Sequence, residues 1–295
     1  MLKKFFAAAA SLAAFLAFPA TAQTTKDADP ALWVVKDADT TIYLFGTVHV
    51  LKPGLSWFDE GVKTAFDESG EVVLELVEPD PAAMQGLIMK LAIAPSTDPA
   101  LTEKLPADKR AAYAAALADV GIPAAALDRL EPWLVAVTLG MAPLPKLGYD
   151  PESGAERTIT AAAKAAGKPI IGLETAEQQL GYFDALPEEL QIKYLVSTIT
   201  DYAKIGPMLD KMVAQWAAGD PVALGETMDE GMRETPEVGK VLLADRNARW
   251  AEWIETRMAK PGTVFLAVGA GHLAGDDSVQ TYLAKRKLTA TRVNY

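Results

Sequence analysis

Hydrophobic and polar positions follow two patterns along the chain. Four dense runs of β-branched, aromatic and aliphatic residues stand out: Ala31-Leu-Trp-Val-Val-Lys36, Thr41-Ile-Tyr-Leu-Phe45, Glu71-Val-Val-Leu-Glu75-Leu76 and Thr263-Val-Phe-Leu-Ala-Val268. Runs of this length, bounded by Gly, Pro and Asp, predict strands. The first two are separated by Asp37-Ala-Asp39, which predicts a hairpin. Lys168-Pro-Ile-Ile-Gly-Leu-Glu174 adds another strand, and residues 289–293 a last one. Between them apolar positions recur at helical spacing. A helix is expected over 56–68, capped by Ser56, with Trp57, Val62, Ala65 and Phe66 facing inward. Further helices are expected over about 108–120, 128–140, 154–166, 175–186, 187–206, 207–218, 236–258 and 276–286. The fold class predicted is α/β, a central mostly parallel or mixed sheet with a large helical insertion mid-chain. One domain is expected over 23–295, with 80–260 largely helical.

The first residues do not belong to that pattern. Lys3 and Lys4 precede an apolar or small-residue run over 5–18, and Pro19-Ala-Thr-Ala22 offers a cleavage site. This predicts a secretory signal over 1–22, with the periplasm as destination and full secretion as the alternative. The run is shorter than the ~20 residues of a membrane span, and none follows, so no stable span is expected after signal cleavage. Without the signal, 26 basic residues face 39 acidic ones. Such a surface repels phosphate backbones, so nucleic acid is not an expected partner. The chain has no cysteine, which excludes disulfides, a thiolate metal site and a cysteine nucleophile.

Candidate chemistry gathers at predicted strand ends. The protein has two histidines, and each stands in Gly-x-x-His after a strand-like run: Gly46-Thr-Val-His49 and Gly269-Ala-Gly-His272. Two other strands finish in Glu75 and Glu174. In open α/β sheets ligands bind beyond the carboxyl ends of the strands, so these four side chains are expected to converge. Two imidazoles and a carboxylate suit one divalent metal ion: Mn, Co, Zn or Fe by donor type. His49, His272 and Glu75 are the expected ligands, with Glu174 or Glu156 as base or further ligand. Arg246 is the candidate for oxyanion stabilisation and Asn247 for orienting substrate. Glu78 reads as a solvated loop residue, and Trp250 and Trp253 as core. No Gly-x-Ser-x-Gly elbow or Walker loop is present, and Gly269-Ala-Gly271 lacks the third glycine of a dinucleotide fingerprint, with Ala274 in its place.

In order and spacing these motifs resemble the TraB/PrgY/GumN family, whose animal relatives include the Tiki membrane proteases. The matching stretches are Tyr43-Leu-Phe-Gly-Thr-Val-His49, Val72-Val-Leu-Glu75, Gly154-Ala-Glu156, Gly167-Lys-Pro169, Gly172-Leu-Glu-Thr175, Arg246-Asn247 and Val268-Gly-Ala-Gly-His-Leu273. The resemblance implies a metal-dependent hydrolase with both Gly-x-x-His motifs at its active site, peptide bonds being the leading substrate and a small molecule the other. It is closest to the GumN-like bacterial branch. The alternative is a non-catalytic periplasmic binding protein that sequesters a peptide, haem or metal in the same cleft.

Overall fold

The computed structural model describes residues 25–295, so the signal expected over 1–22 lies outside the described chain. The strands, in chain order, are β1 (Lys26–Asp27), β2 (Leu32–Lys36), β3 (Thr40–Thr47), β4 (Leu55–Ser56), β5 (Glu71–Leu76), β6 (Ile170–Glu174), β7 (Gly262–Gly269) and β8 (Thr291–Arg292). β1 and β4 form a small parallel pair, and the other six form one sheet ordered β6-β5-β7-β3-β2-β8. Strands β6, β5, β7 and β3 are mutually parallel, while β2 is antiparallel to both neighbours. This is the α/β fold with a mixed sheet that the pattern predicts.

The predicted hairpin forms. Asp37 Oδ1 accepts the N–H groups of Asp39 and Thr40 (3.1 and 2.9 Å), an Asx turn that fixes the β2–β3 register. Strand β7 is buried without alternation from Val264 to Gly269. That is what a central parallel strand covered on both faces requires, and it explains its uninterrupted apolar sequence.

Each face of the sheet has its own core. On one, Phe45, Phe66, Phe265, Trp57 and Trp216 pack with the helices Glu60–Glu68 and Ala155–Ala165. Phe45 stacks between Trp57 and Phe265, with ring centroids 5.5 and 5.8 Å away. On the other, Ile42, Leu44, Leu266 and Val268 meet Trp250, Ile254 and Met258 of the Asp245–Met258 helix. A further core of Leu101, Tyr113, Leu117, Val135, Leu139, Leu195 and Ile199 belongs to helices alone. The mid-chain insertion thus has its own apolar centre.

Some boundaries differ from the pattern. Ser56 does not cap a helix. Its segment pairs with Lys26–Asp27 and is held extended, so the helix starts at Glu60 after Asp59. The helix expected over 236–258 is interrupted by a π-helical turn at Lys240–Ala244, just before Arg246 and Asn247. Such turns are common beside functional sites. A helix at Pro221–Met232, capped by Asp220, was not distinguished by the pattern.

Candidate functional site

Because β3, β5, β6 and β7 run the same way, their carboxyl ends lie along one edge of the sheet. That edge receives His49, Glu75, Glu174 and His272. Neither Gly46 nor Gly269 has a positive φ, so a sharp turn is not what they provide. Gly46 permits close approach: a Cβ there would stand 3.0 Å from Ala270 Cα, in the other Gly-x-x-His motif.

His272 is 4% exposed, and its Nδ1 lies 2.6 Å from Asn247 Oδ1. Asn247 Nδ2 donates to the Asp277 carbonyl (2.7 Å), which turns the amide oxygen toward the ring and makes Nδ1 the donor. Nε2 therefore carries the lone pair, which accepts from Arg246 Nη1 (3.2 Å). Trp250 packs against the imidazole, ring centroids 4.3 Å apart. Burial pushes His272 down to about 3, against the pull of Glu75, so the ring is neutral.

Arg246, 8% exposed, ties the centre together. Its Nε and Nη2 donate to Glu174 (3.1 and 2.8 Å), and Nη2 also donates to Glu75 Oε2 (3.0 Å). Glu174 further accepts from Trp250 Nε1 (3.1 Å), Tyr182 OH (3.2 Å) and Gln179 Nε2 (3.1 Å). Glu75 Oε1 accepts the Gly269 N–H at 2.6 Å and lies 3.4 Å from His272 Nε2. Burial alone would raise the Glu75 carboxyl. The partners His272, Arg246 and His49, with the Gly269 N–H, reverse the sign and hold it at about 2.

His49 is anchored differently. Its side chain is 68% exposed, and Nδ1 donates to Glu156 Oε1 at 2.6 Å. Thr47 Oγ1 donates to the same oxygen at 2.5 Å. The hydrogen bond to Glu156 pushes His49 up to about 9, so the ring is charged at neutral pH. Glu156, whose burial opposes ionisation, is in turn held below the usual carboxylate range by His49 and Thr47.

The predicted residues Glu75, Glu174, Arg246, Asn247 and His272 therefore share one hydrogen-bonded network, and the His49–Glu156 pair stands beside it across Gly269. Asn247 is 1% exposed and stands behind His272, with both ends of its amide engaged. Glu78 lies outside the cluster, exposed and paired with Arg157 (3.0 Å). Sequence reasoning missed Thr47, Gln179 and Tyr182, and took Trp250 only as core. Gln179 and Tyr182 sit three apart on the helix Ala176–Asp184 that directly follows Glu174, a spacing that aims both side chains back at the strand end.

Among the described residues, no three His, Cys, Asp or Glu side chains already form a metal cage. In kind, however, the donors fit a divalent ion. Each histidine is tethered through Nδ1 to an oxygen, as metal-ligating histidines are. Gly269 leaves room among them: a Cβ there would stand 3.1 Å from Glu75 Oε1 and 3.6 Å from both His49 Nε2 and His272 Cδ2.

The TraB/PrgY/gumN family model matches residues 31–292. The uncharacterized protein YbaP of Escherichia coli is 28% identical over 169 residues, which is 56% of this chain and 61% of the relative. An uncharacterized protein of Treponema pallidum is 24% identical over 278 residues, 87% of this chain and 80% of the relative. The chain thus spans about three fifths of YbaP and most of the spirochaete protein. No solved structure matches it. With the match covering the whole sheet and every residue of the cluster, the chain belongs to the TraB/PrgY/gumN family.

Proposed function

We propose that this chain is a metal-dependent hydrolase of acyl bonds, with peptides as its leading substrates. The observation that carries this reading is the convergence of both histidines on Glu75, each with Nδ1 tethered and Nε2 turned inward. Such tethering fixes the tautomer and the ring direction, which a purely structural histidine does not need. The resemblance to the Tiki proteases supports the same class.

His49, His272 and Glu75 would hold a divalent ion, which would supply a Lewis acid and a water of lowered pKa. To ligate, His49 would give up its Nε2 proton while keeping Nδ1–H on Glu156, and His272 Nε2 would exchange the Arg246 Nη1 donor for the ion. In amide hydrolysis the oxygen of water adds to the carbonyl carbon, the C–N bond breaks, and the leaving nitrogen takes a proton. Glu156 is better placed than Glu174 to carry that proton. Its side chain is 28% exposed beside His49, whereas Glu174 is enclosed by Arg246, Trp250, Tyr182 and Gln179. Arg246, its guanidinium nitrogens engaged by Glu174, Glu75, His272 and the Leu242 carbonyl, keeps Glu75 aligned and its charge balanced. The signal-like residues 1–22 support a periplasmic setting, and among the described residues no helix is long and apolar enough to cross a membrane.

The test is elemental analysis of the mature protein purified without chelator, beside His49→Ala and His272→Ala, followed by a peptide library in the metal found. Near-stoichiometric metal lost in both variants, with cleavage by the wild type, is expected. Peptide bound without cleavage would assign a sequestering role instead.

A further inference from the structure

The sheet has one edge that leads straight into the cluster. Strand β6 is its outermost member on that side and pairs only with β5. The Val72 N–H donates to the Pro169 carbonyl (2.9 Å), and Val72 stands opposite Ile170. In a parallel ladder this means that residues 169, 171 and 173 address β5, while the N–H and C=O groups of Ile170 and Gly172 point away from the sheet. No hydrogen-bond partner for those four groups is present among the described residues.

The edge also lacks the usual protection. Ile171 is 40% exposed, Gly172 is exposed, and no charged side chain or proline interrupts Ile170–Glu174 before its final residue. Natural sheets normally blunt such an edge with charge, proline or a cover. On one side lies an open cleft of about 430 Å³ bordered by Glu71, Ile171, Trp253 and Arg257. Its position at the start of β6 and the cluster at its end make one line, about 17 Å long at the usual strand rise.

We infer that the β6 edge is a strand-addition site for an extended, unfolded stretch of polypeptide, which pairs with Ile170 and Gly172 and is led toward Glu174. The inference deepens the peptidase reading above and rests on it for the identity of the occupant as substrate. Main-chain pairing supplies affinity without regard to sequence, and the cleft beside Ile171 and Trp253, walled also by the Glu71–Arg257 ion pair and Lys260, has room for one side chain of the added strand. A second copy of this chain is the weaker occupant. Five residues paired edge to edge bury far less than the roughly 1,600 Å² of a standard stable interface.

The test uses reduced, carboxymethylated α-lactalbumin, a permanently unfolded polypeptide, with hydrogen exchange followed across residues 168–174. The Ile170 and Gly172 amides are expected to exchange quickly in the free chain and at least tenfold more slowly with the probe. Ile170→Pro removes an outward N–H while leaving the bonds to β5 in place, and Ile171→Lys adds a charge to the edge. Each should weaken probe binding about tenfold or more. Because Ile170→Pro also alters packing, the wild-type exchange result stands by itself. Unchanged exchange at 168–174 while the protein cleaves peptides would overturn the edge and leave the hydrolase reading intact. Protection without any cleavage would support the edge and overturn the hydrolase reading. Protection that grows with protein concentration in the absence of probe would assign the edge to a second copy and overturn the inference.

Discussion

The two Gly-x-x-His corners use the same local sequence and reach opposite electrostatic states. At the His49 corner the ring is exposed, a carboxylate accepts its Nδ1–H, and the imidazole is held charged up to about 9. At the His272 corner the ring is buried, an amide oxygen accepts its Nδ1–H, and the imidazole stays neutral down to about 3. Motif and strand-end position are therefore not what sets histidine charge here. The partner of the distal nitrogen and the access of water do so. One corner carries a proton it can give, and the other a lone pair that Arg246 Nη1 engages.

The largest break in this contrast should come from Arg246→Ala. It leaves Glu75 and Glu174 buried without their cation and His272 Nε2 without its donor. Removing one partner of a buried ion pair costs about 3–5 kcal/mol, and denaturant unfolding should show a loss of that size. Next, Asn247→Asp gives His272 the kind of partner His49 has. The His272 pKa should rise by about 1–3 units, read from its imidazole proton shifts by NMR. No rise would mean that burial alone governs this corner. A change of comparable size and opposite sign is expected from Glu156→Gln, which should bring His49 from about 9 back toward its ordinary 6.5 in the same NMR titration.

The corners also predict two separate limbs in a stability profile of the metal-free protein. His272 and Glu75 have folded pKa values below their ordinary ones, so between about 2 and 6.5 the unfolded chain binds more protons. Stability should then fall as pH drops through that window. His49 has the opposite sign: its contribution is complete below about 6.5 and is lost as pH rises toward 9. Thermal midpoints across this range should show Glu156→Gln flattening the alkaline limb and, because Glu156 is itself held below the usual carboxylate range, trimming the acid limb as well. An alkaline limb left unchanged by Glu156→Gln would contradict the assignment to His49.

The sequence made much of this legible, for identifiable reasons. Strand β7 could be read because a strand covered on both faces must be apolar throughout, and the hairpin because Asp37 and Asp39 bracket a turn. The convergence of His49, Glu75, Glu174 and His272 followed from strand ends and parallel order. The polarity of Trp250 was hidden, since a core indole and one donating to Glu174 occupy the same helix face. Thr47 stood inside the recognised motif, yet its role depends on Glu156, far away in sequence. Ser56 looked like a cap because nothing local announces that Lys26–Asp27 will pair beside it. Long-range pairing overrides local signals wherever the two compete.

The placement of β7 has a consequence for how the protein comes into being. β3 and β5 are made early, but they do not touch in the sheet, because β7 lies between them. Until Gly262–Gly269 is available, the chain holds two half-sheets with a slot, and neither corner has its counterpart. Closure then requires contacts between residues such as Thr40 and Gly262, more than two hundred positions apart, and pairings of that kind form slowly. A nascent chain that ends before β7 thus holds His49 and Glu75 without the strand that joins them. Strand β7, made late in the chain, therefore completes the parallel part of the sheet and brings both histidine corners together in a single step.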